Sequence, residues 1–184
     1  MAILPIVYYP DEPLTLKSKP VKRFDGDLAQ LVEDMLDTMH AYHGVGLAAP
    51  QVGLAQRLFV LQVPDGPEMH FVNPEIVESD GREIGEEGCL SMPEVYAQVP
   101  RATRVCVRAQ DVEGNDIELE ATNFLARIIQ HELDHLDGIM FPERLDILTR
   151  EALYQDWNNV RARLLREGGE PGEAEIKSQA RHAR

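Results

Sequence analysis

The sequence predicts a single α+β domain: small, mostly antiparallel sheets packed around a central helix that carries an H-E-x-x-H motif, with one further helix near each end of the chain. Three observations carry that prediction. Leu28, Leu31, Val32, Met35, Leu36 and Met39 recur at helical spacing, so they form one apolar face. Arg104 to Asp111 and Ile117 to Ala121 flank Glu113-Gly114-Asn115-Asp116, the pattern of a β-hairpin. His131-Glu132-Leu133-Asp134-His135 lies inside a helical stretch from about Asn123 to Leu136, with apolar neighbours at Phe124, Ile128 and Leu136.

The remaining elements follow in chain order. Pro5, Pro10, Pro13 and Pro20 keep the first segment extended or turning. The first helix is capped by Asp25 or Asp27 and stops by Gly44. Arg57 to Val63 and the stretch around Phe71 and Val72 read as strands. The central helix ends at Gly138. A last helix starts near a possible cap at Thr149 and carries Leu153, Trp157, Val160 and Leu164 on one face. From Glu167 the chain turns to Gly, Glu, Pro and Ala, so the expected division is a domain over 1–166 and a flexible tail over 167–184.

Length and composition agree with one domain. The 184 residues are close to the usual domain size of about 150. Two cysteines exclude a disulfide-built scaffold and point to a reducing compartment. A net charge of −14, from 18 basic and 32 acidic residues, argues against general nucleic-acid binding. No run approaches the length of a membrane span, and the first ten residues do not read as a signal peptide. The expected location is the cytoplasm, with no membrane partner.

The motif His131 to His135 carries the most chemistry. Residues four apart on a helix share a face, so both imidazoles can reach one metal ion, and Glu132 is placed as a general base. Two histidines leave the ligand set one short. A downstream third histidine is excluded, because Phe141 stands where the extended protease pattern needs it, and His182 falls in the tail. Glu143 and Asp146 remain available but sit in no recognisable pattern. Upstream, Cys89 lies beside Gly88 in the turn-like, polar stretch Glu86 to Ser91 and is the better candidate. Cys106, between Val105 and Val107, reads as packing. Gly44 to Gln51 matches a loose dinucleotide fingerprint, but a helix precedes it where a strand is required, and Pro50 disfavours the helix that should follow.

Together these segments resemble the peptide deformylases, whose motifs are G-Φ-G-Φ-A-A-x-Q, E-G-C-Φ-S and H-E-Φ-D-H with Φ apolar. Gly44 to Gln51, Glu87 to Ser91 and His131 to His135 supply all three, in order and without mismatch. The likeness extends through Tyr9-Pro10-Asp11, Val99-Pro100-Arg101, Gln130 and Leu136-Asp137-Gly138, and covers roughly residues 3–165. The last helix resembles that of the form common in Gram-negative bacteria. The resemblance implies a hydrolase that removes the formyl group from the N-terminal formylmethionine of newly made proteins. It implies Cys89, His131 and His135 as ligands of one divalent ion, Fe2+ in the cell, with Zn2+, Ni2+ or Co2+ as substitutes. Glu132 would be the general base and later the acid, and Gln51 with the Leu90 backbone N–H would hold the oxyanion. Val45, Gly46, Phe124 and Ile128 would form the methionine pocket. The peptide would pair with an edge strand formed by Val45 and Glu87, with Gly88 allowing close approach.

Two other classes share parts of this pattern: a metal endopeptidase with the same helix motif, and a catalytically silent peptide-binding module. Arg127, one turn before His131, reads as a charge on the pocket rim or as a solvated charge whose stem lies on the helix. Tyr96 stands where many members of the family carry an arginine near the substrate peptide. Arg150, Arg161, Arg163 and Arg166 give the last helix a basic surface suited to docking on the ribosome.

Overall fold

The structure, a computed structural model, describes residues 2–166. The expected tail, 167–184, lies outside the described residues. Helix α1 (Gly26–Ala41) is followed by strands β1 (Gly46–Ala48), β2 (Leu58–Gln62), β3 (Glu68–Asp80), β4 (Glu83–Cys89), β5 (Met92–Arg101), β6 (Arg104–Gln110) and β7 (Asp116–Thr122). Helices α2 (Asn123–Leu136) and α3 (Ile147–Arg166) complete the domain. Five strands form one sheet in the order β1-β2-β3-β6-β7, and β4 pairs with β5 in a second. Every strand pair is antiparallel.

The larger sheet separates two apolar layers, and β2 shows how. Its Leu58 and Val60 pack with Val32, Met35 and Met39 of α1, while Phe59 and Leu61 pack with Ala126 and Ile129 of α2. Alternate side chains leave a strand on opposite faces, so a strand covered on both sides is apolar throughout. A third cluster holds β5 against α3: Met92, Val95 and Val99 meet Trp157 and Leu164, together with Tyr8 from the N-terminal segment. Helix α2 therefore lies between the larger sheet and the β4–β5 hairpin. Among the described residues no helix is long and apolar enough to cross a membrane.

Several boundaries differ from the sequence reading. Of the two expected caps, Asp25 closes α1 by accepting from Leu28 N at 3.3 Å, in agreement with that reading. His43, not Gly44, takes the left-handed conformation after that helix (φ 55°). Gly44 instead packs tightly, since a Cβ there would stand 3.0 Å from Leu90 Cδ1. Helix α3 starts before Thr149, because Asp146 accepts from the N–H groups of Leu148 and Thr149. Cys106 occupies the face of β6 opposite the buried Val105 and Val107, so it is no core residue. Gly138 ends α2 as expected (φ 73°), and a Cβ there would also press within 3.0 Å of the Leu16 backbone.

Candidate metal centre

Helix α2 presents His131 and His135 one turn apart, and the end of β4 brings Cys89 to them. Cys89 is thus the last residue of a strand rather than part of a turn. Its Sγ lies 3.3 Å from His135 Nε2, and the donor atoms of the three residues all fall within 4.8 Å of one another. Sulfur and nitrogen ligands of one tetrahedral ion at ordinary bond lengths stand about 3.5 Å apart. The spacing therefore fits a shared cation, and one sulfur with two imidazoles suits a borderline transition metal.

Glu87 prepares this donor set. Burial opposes its ionisation, but hydrogen bonds from His131 and Arg101 hold its carboxyl well below the usual range. It therefore accepts at Oε2 from His131 Nδ1 (2.9 Å), which leaves Nε2 of that ring to face the site. Burial alone would lower the His131 pKa, yet its bonds to Cys89 and Glu87 raise it well above the ordinary value. The local field thus favours a positive charge. Burial, reinforced by His131, lowers the His135 pKa well below its usual value, which keeps that ring in the neutral, metal-binding form. Phe141 stacks beside His131 with centroids 6.2 Å apart, an aromatic wall where the protease pattern would have placed a ligand.

Glu132 is buried, and its Oε2 has no hydrogen-bond partner among the described residues. Burial pushes its pKa up to about 7. Gln51 is held in one orientation: its Oε1 accepts from Ala48 N (2.8 Å), so its Nε2 points at Cys89 Sγ (3.4 Å). All the predicted site residues except His135 line one cavity of about 330 Å³; His135 sits behind it. Phe124 and Val45 stand partly exposed at its mouth, and Ile128 is buried. Tyr96 also lines it, its ring against Gly88, where a Cβ would come within 2.6 Å of Tyr96 Cε1.

The model of polypeptide deformylase matches residues 3–151 of this chain. The chain belongs to the polypeptide deformylase family. A peptide deformylase of Chromobacterium violaceum is 49% identical over 155 residues, 83% of this chain and 93% of that protein. The crystal structure of a Legionella pneumophila peptide deformylase superposes with a TM-score of 0.84 at 42% identity, covering 90% of this chain and 99% of that one. An Ehrlichia chaffeensis peptide deformylase in complex with actinonin gives 0.81 at 38% identity, covering 85% and 96%.

Within the deformylase site two sequence expectations need correction. Val45 and Glu87 do not share a strand: Val45 precedes β1 at the edge of the larger sheet, and Glu87 belongs to β4 of the smaller one. Two strand edges from different sheets therefore face one cavity. Arg127 lines the cavity, but as a buried charge and not a solvated one. It is 5% exposed and bonds Glu87 Oε1 at 2.8 Å and Val99 O at 2.9 Å.

Sequence reasoning assigned no role to the buried ion network behind the site. Arg101 binds both Glu87 oxygens (2.9 and 3.0 Å) and reaches Asp134 at 2.5 Å. Asp134 also takes both ends of Arg144. A signal did exist. Val95, Ala97, Val99 and Arg101 share one face of β5, so period-two alternation sends Arg101 inward with the valines.

Proposed function

We propose that Cys89, His131 and His135 hold one divalent metal ion and that Glu132 moves the protons of the reaction. The activity is that of the family: removal of the N-formyl group from the N-terminal formylmethionine of newly made proteins, with release of formate. The observation that carries the residue assignment is the convergence of one thiol and two imidazoles beside a buried, unpartnered carboxylate oxygen.

A bound divalent ion supplies Lewis acidity and lowers the pKa of a water toward about 7. Glu132 takes a proton from the attacking water and later delivers it to the departing amine, so one carboxylate serves as base and then acid. Charge gathers on the formyl oxygen as the carbon becomes tetrahedral. The Gln51 amide, already fixed through Ala48, and the Leu90 N–H next to Cys89 are the donors for it. Water adds across the formyl C–N bond, giving formate and a free N-terminus.

Val45, Gly46, Phe124 and Ile128 receive the methionine side chain, and Glu87 and Gly88 on β4 receive the peptide backbone by strand addition. The metal in the cell is ferrous iron, which zinc, nickel or cobalt can replace. A thiolate ligand makes such a centre sensitive to oxidation, which agrees with a cytoplasmic location. Ribosome docking through α3 draws on fewer charges than its arginines suggest. Arg161 pairs with Asp11 (2.9 Å) and Arg163 with Glu94 (2.5 Å), so Arg150 and Arg166 carry the contact.

The test offers formyl-Met-Ala-Ala and an unformylated peptide to anaerobically purified protein whose metal has been measured. Formate release from the first, with one iron per chain, supports the proposal. Cleavage inside the unformylated chain would replace it with an endopeptidase.

A further inference from the structure

We propose that Arg127 is a positioning residue: its buried guanidinium sets the place of the β4–β5 hairpin relative to α2, and so the strand along which the substrate peptide lies. This rests on the reading that the peptide runs along β4.

The guanidinium reaches several parts of the hairpin at once. Nη1 donates to Glu87 Oε1 (2.8 Å) and to the main-chain oxygens of Val99 (2.9 Å) and Gly85 (3.4 Å). Nη2 reaches the carboxylate and the carbonyl of Glu83 at 3.3 and 3.4 Å. Arg101 and His131 already bond Glu87, so Arg127 is not needed to neutralise that carboxylate. What it adds is a hold on the backbone of both strands. A two-stranded sheet is marginal by itself and takes its position from what it packs against.

The fit leaves no slack. Gly85 lies over the guanidinium, and a Cβ there would stand 2.9 Å from Arg127 Cζ and Nη2. Arg127 also lies one turn before His131 on α2. The same helix thus carries two metal-ligand candidates and the clamp on the strand, which ties the place of the peptide to the place of the metal. A planar five-donor guanidinium can serve carbonyls and carboxylates at once in this way, and an apolar side chain cannot.

The test compares formyl-methionine amide, too short to use β4, with formyl-Met-Ala-Ala, using metal-loaded protein. The wild type turns over the longer substrate with the higher kcat/KM. Arg127→Met loses about tenfold of that advantage, the worth of one or two hydrogen bonds, as a rise in KM. Its metal content and its kinetics on the amide stay within about threefold, because Arg101 and His131 still hold Glu87 and with it the Cys89 end of β4, so the change is confined to the Glu83–Gly85 part of the strand. Gly85→Ala keeps the charge but displaces the guanidinium, and shifts the advantage the same way. Equal losses on both substrates in Arg127→Met would overturn the proposal. If that variant fails to fold, an undiminished advantage in Gly85→Ala overturns it. A wild type with no advantage for the longer peptide removes the β4 reading and the proposal with it.

Discussion

The Cα of Gly46 lies directly against the carboxylate of Glu132. A Cβ built on Gly46 would stand 2.8 Å from Glu132 Cδ and 3.0 Å from its Cγ, inside contact distance. The glycine of the first motif is thus required by the glutamate of the third. Gly46→Ala should displace Glu132 and lower kcat by about 10²-fold, the lower range for a general acid–base group. The atoms nearest that Cβ belong to Glu132 and not to the proposed metal ligands, so bound metal per chain should be unchanged. Steady-state kinetics with metal analysis checks both halves.

The parts of the fold that were legible have simple periodicity. Helices α1 and α2 and the β6–β7 hairpin show regular apolar spacing, and the structure keeps them close to the expected residues. Strand β4 was not legible. Glu83–Cys89 holds two glycines and three glutamates, and its one fully buried side chain is Glu87, a charge held by two arginines and a histidine. Alternation of apolar residues cannot reveal a strand whose inward residue is ionic. The convergence of Cys89, His131 and His135 was legible because a metal site needs particular residue types at particular spacing. The support behind them was not, because a lone arginine on a helix, such as Arg127, ordinarily reads as solvated.

Glu87 ties these layers together, so its removal should show in two measurements. Glu87→Ala removes one carboxylate partner from Arg101, whose side chain is 3% exposed, and from Arg127, at 6%. Breaking a buried pair from one side costs about 3–5 kcal/mol, which urea unfolding of the metal-loaded protein should reveal. Loss of the acceptor on His131 Nδ1 should also weaken metal binding by about 10–100-fold in a chelator competition.

Trp157 anchors α3 from the far side of the site. It is fully buried, its Nε1 donates to Tyr9 O (2.9 Å), and its ring stands edge-on to Tyr8. Trp157→Ala should destabilise the protein by about 3–5 kcal/mol, read by chemical denaturation. Its hydrogen bond and ring contact go to Tyr9 and Tyr8, not to a proposed ligand or proton carrier, so kcat in the cold should change little. The same anchoring makes removal of α3 a poor test of ribosome docking, since Leu153, Trp157 and Leu164 are core residues. Arg150→Glu with Arg166→Glu changes the surface alone. Co-sedimentation with ribosomes should fall in that double variant if α3 is the docking element.

The central claim is that one metal held by Cys89, His131 and His135 works with Glu132 on the formyl group. Formate release from formyl-Met-Ala-Ala by metal-loaded wild type and Glu132→Ala tests it most directly, with metal measured on the same samples. The account predicts turnover by the wild type, loss of at least about 10²-fold in the variant, and one ion retained by both. Turnover by Glu132→Ala close to the wild-type rate would contradict it.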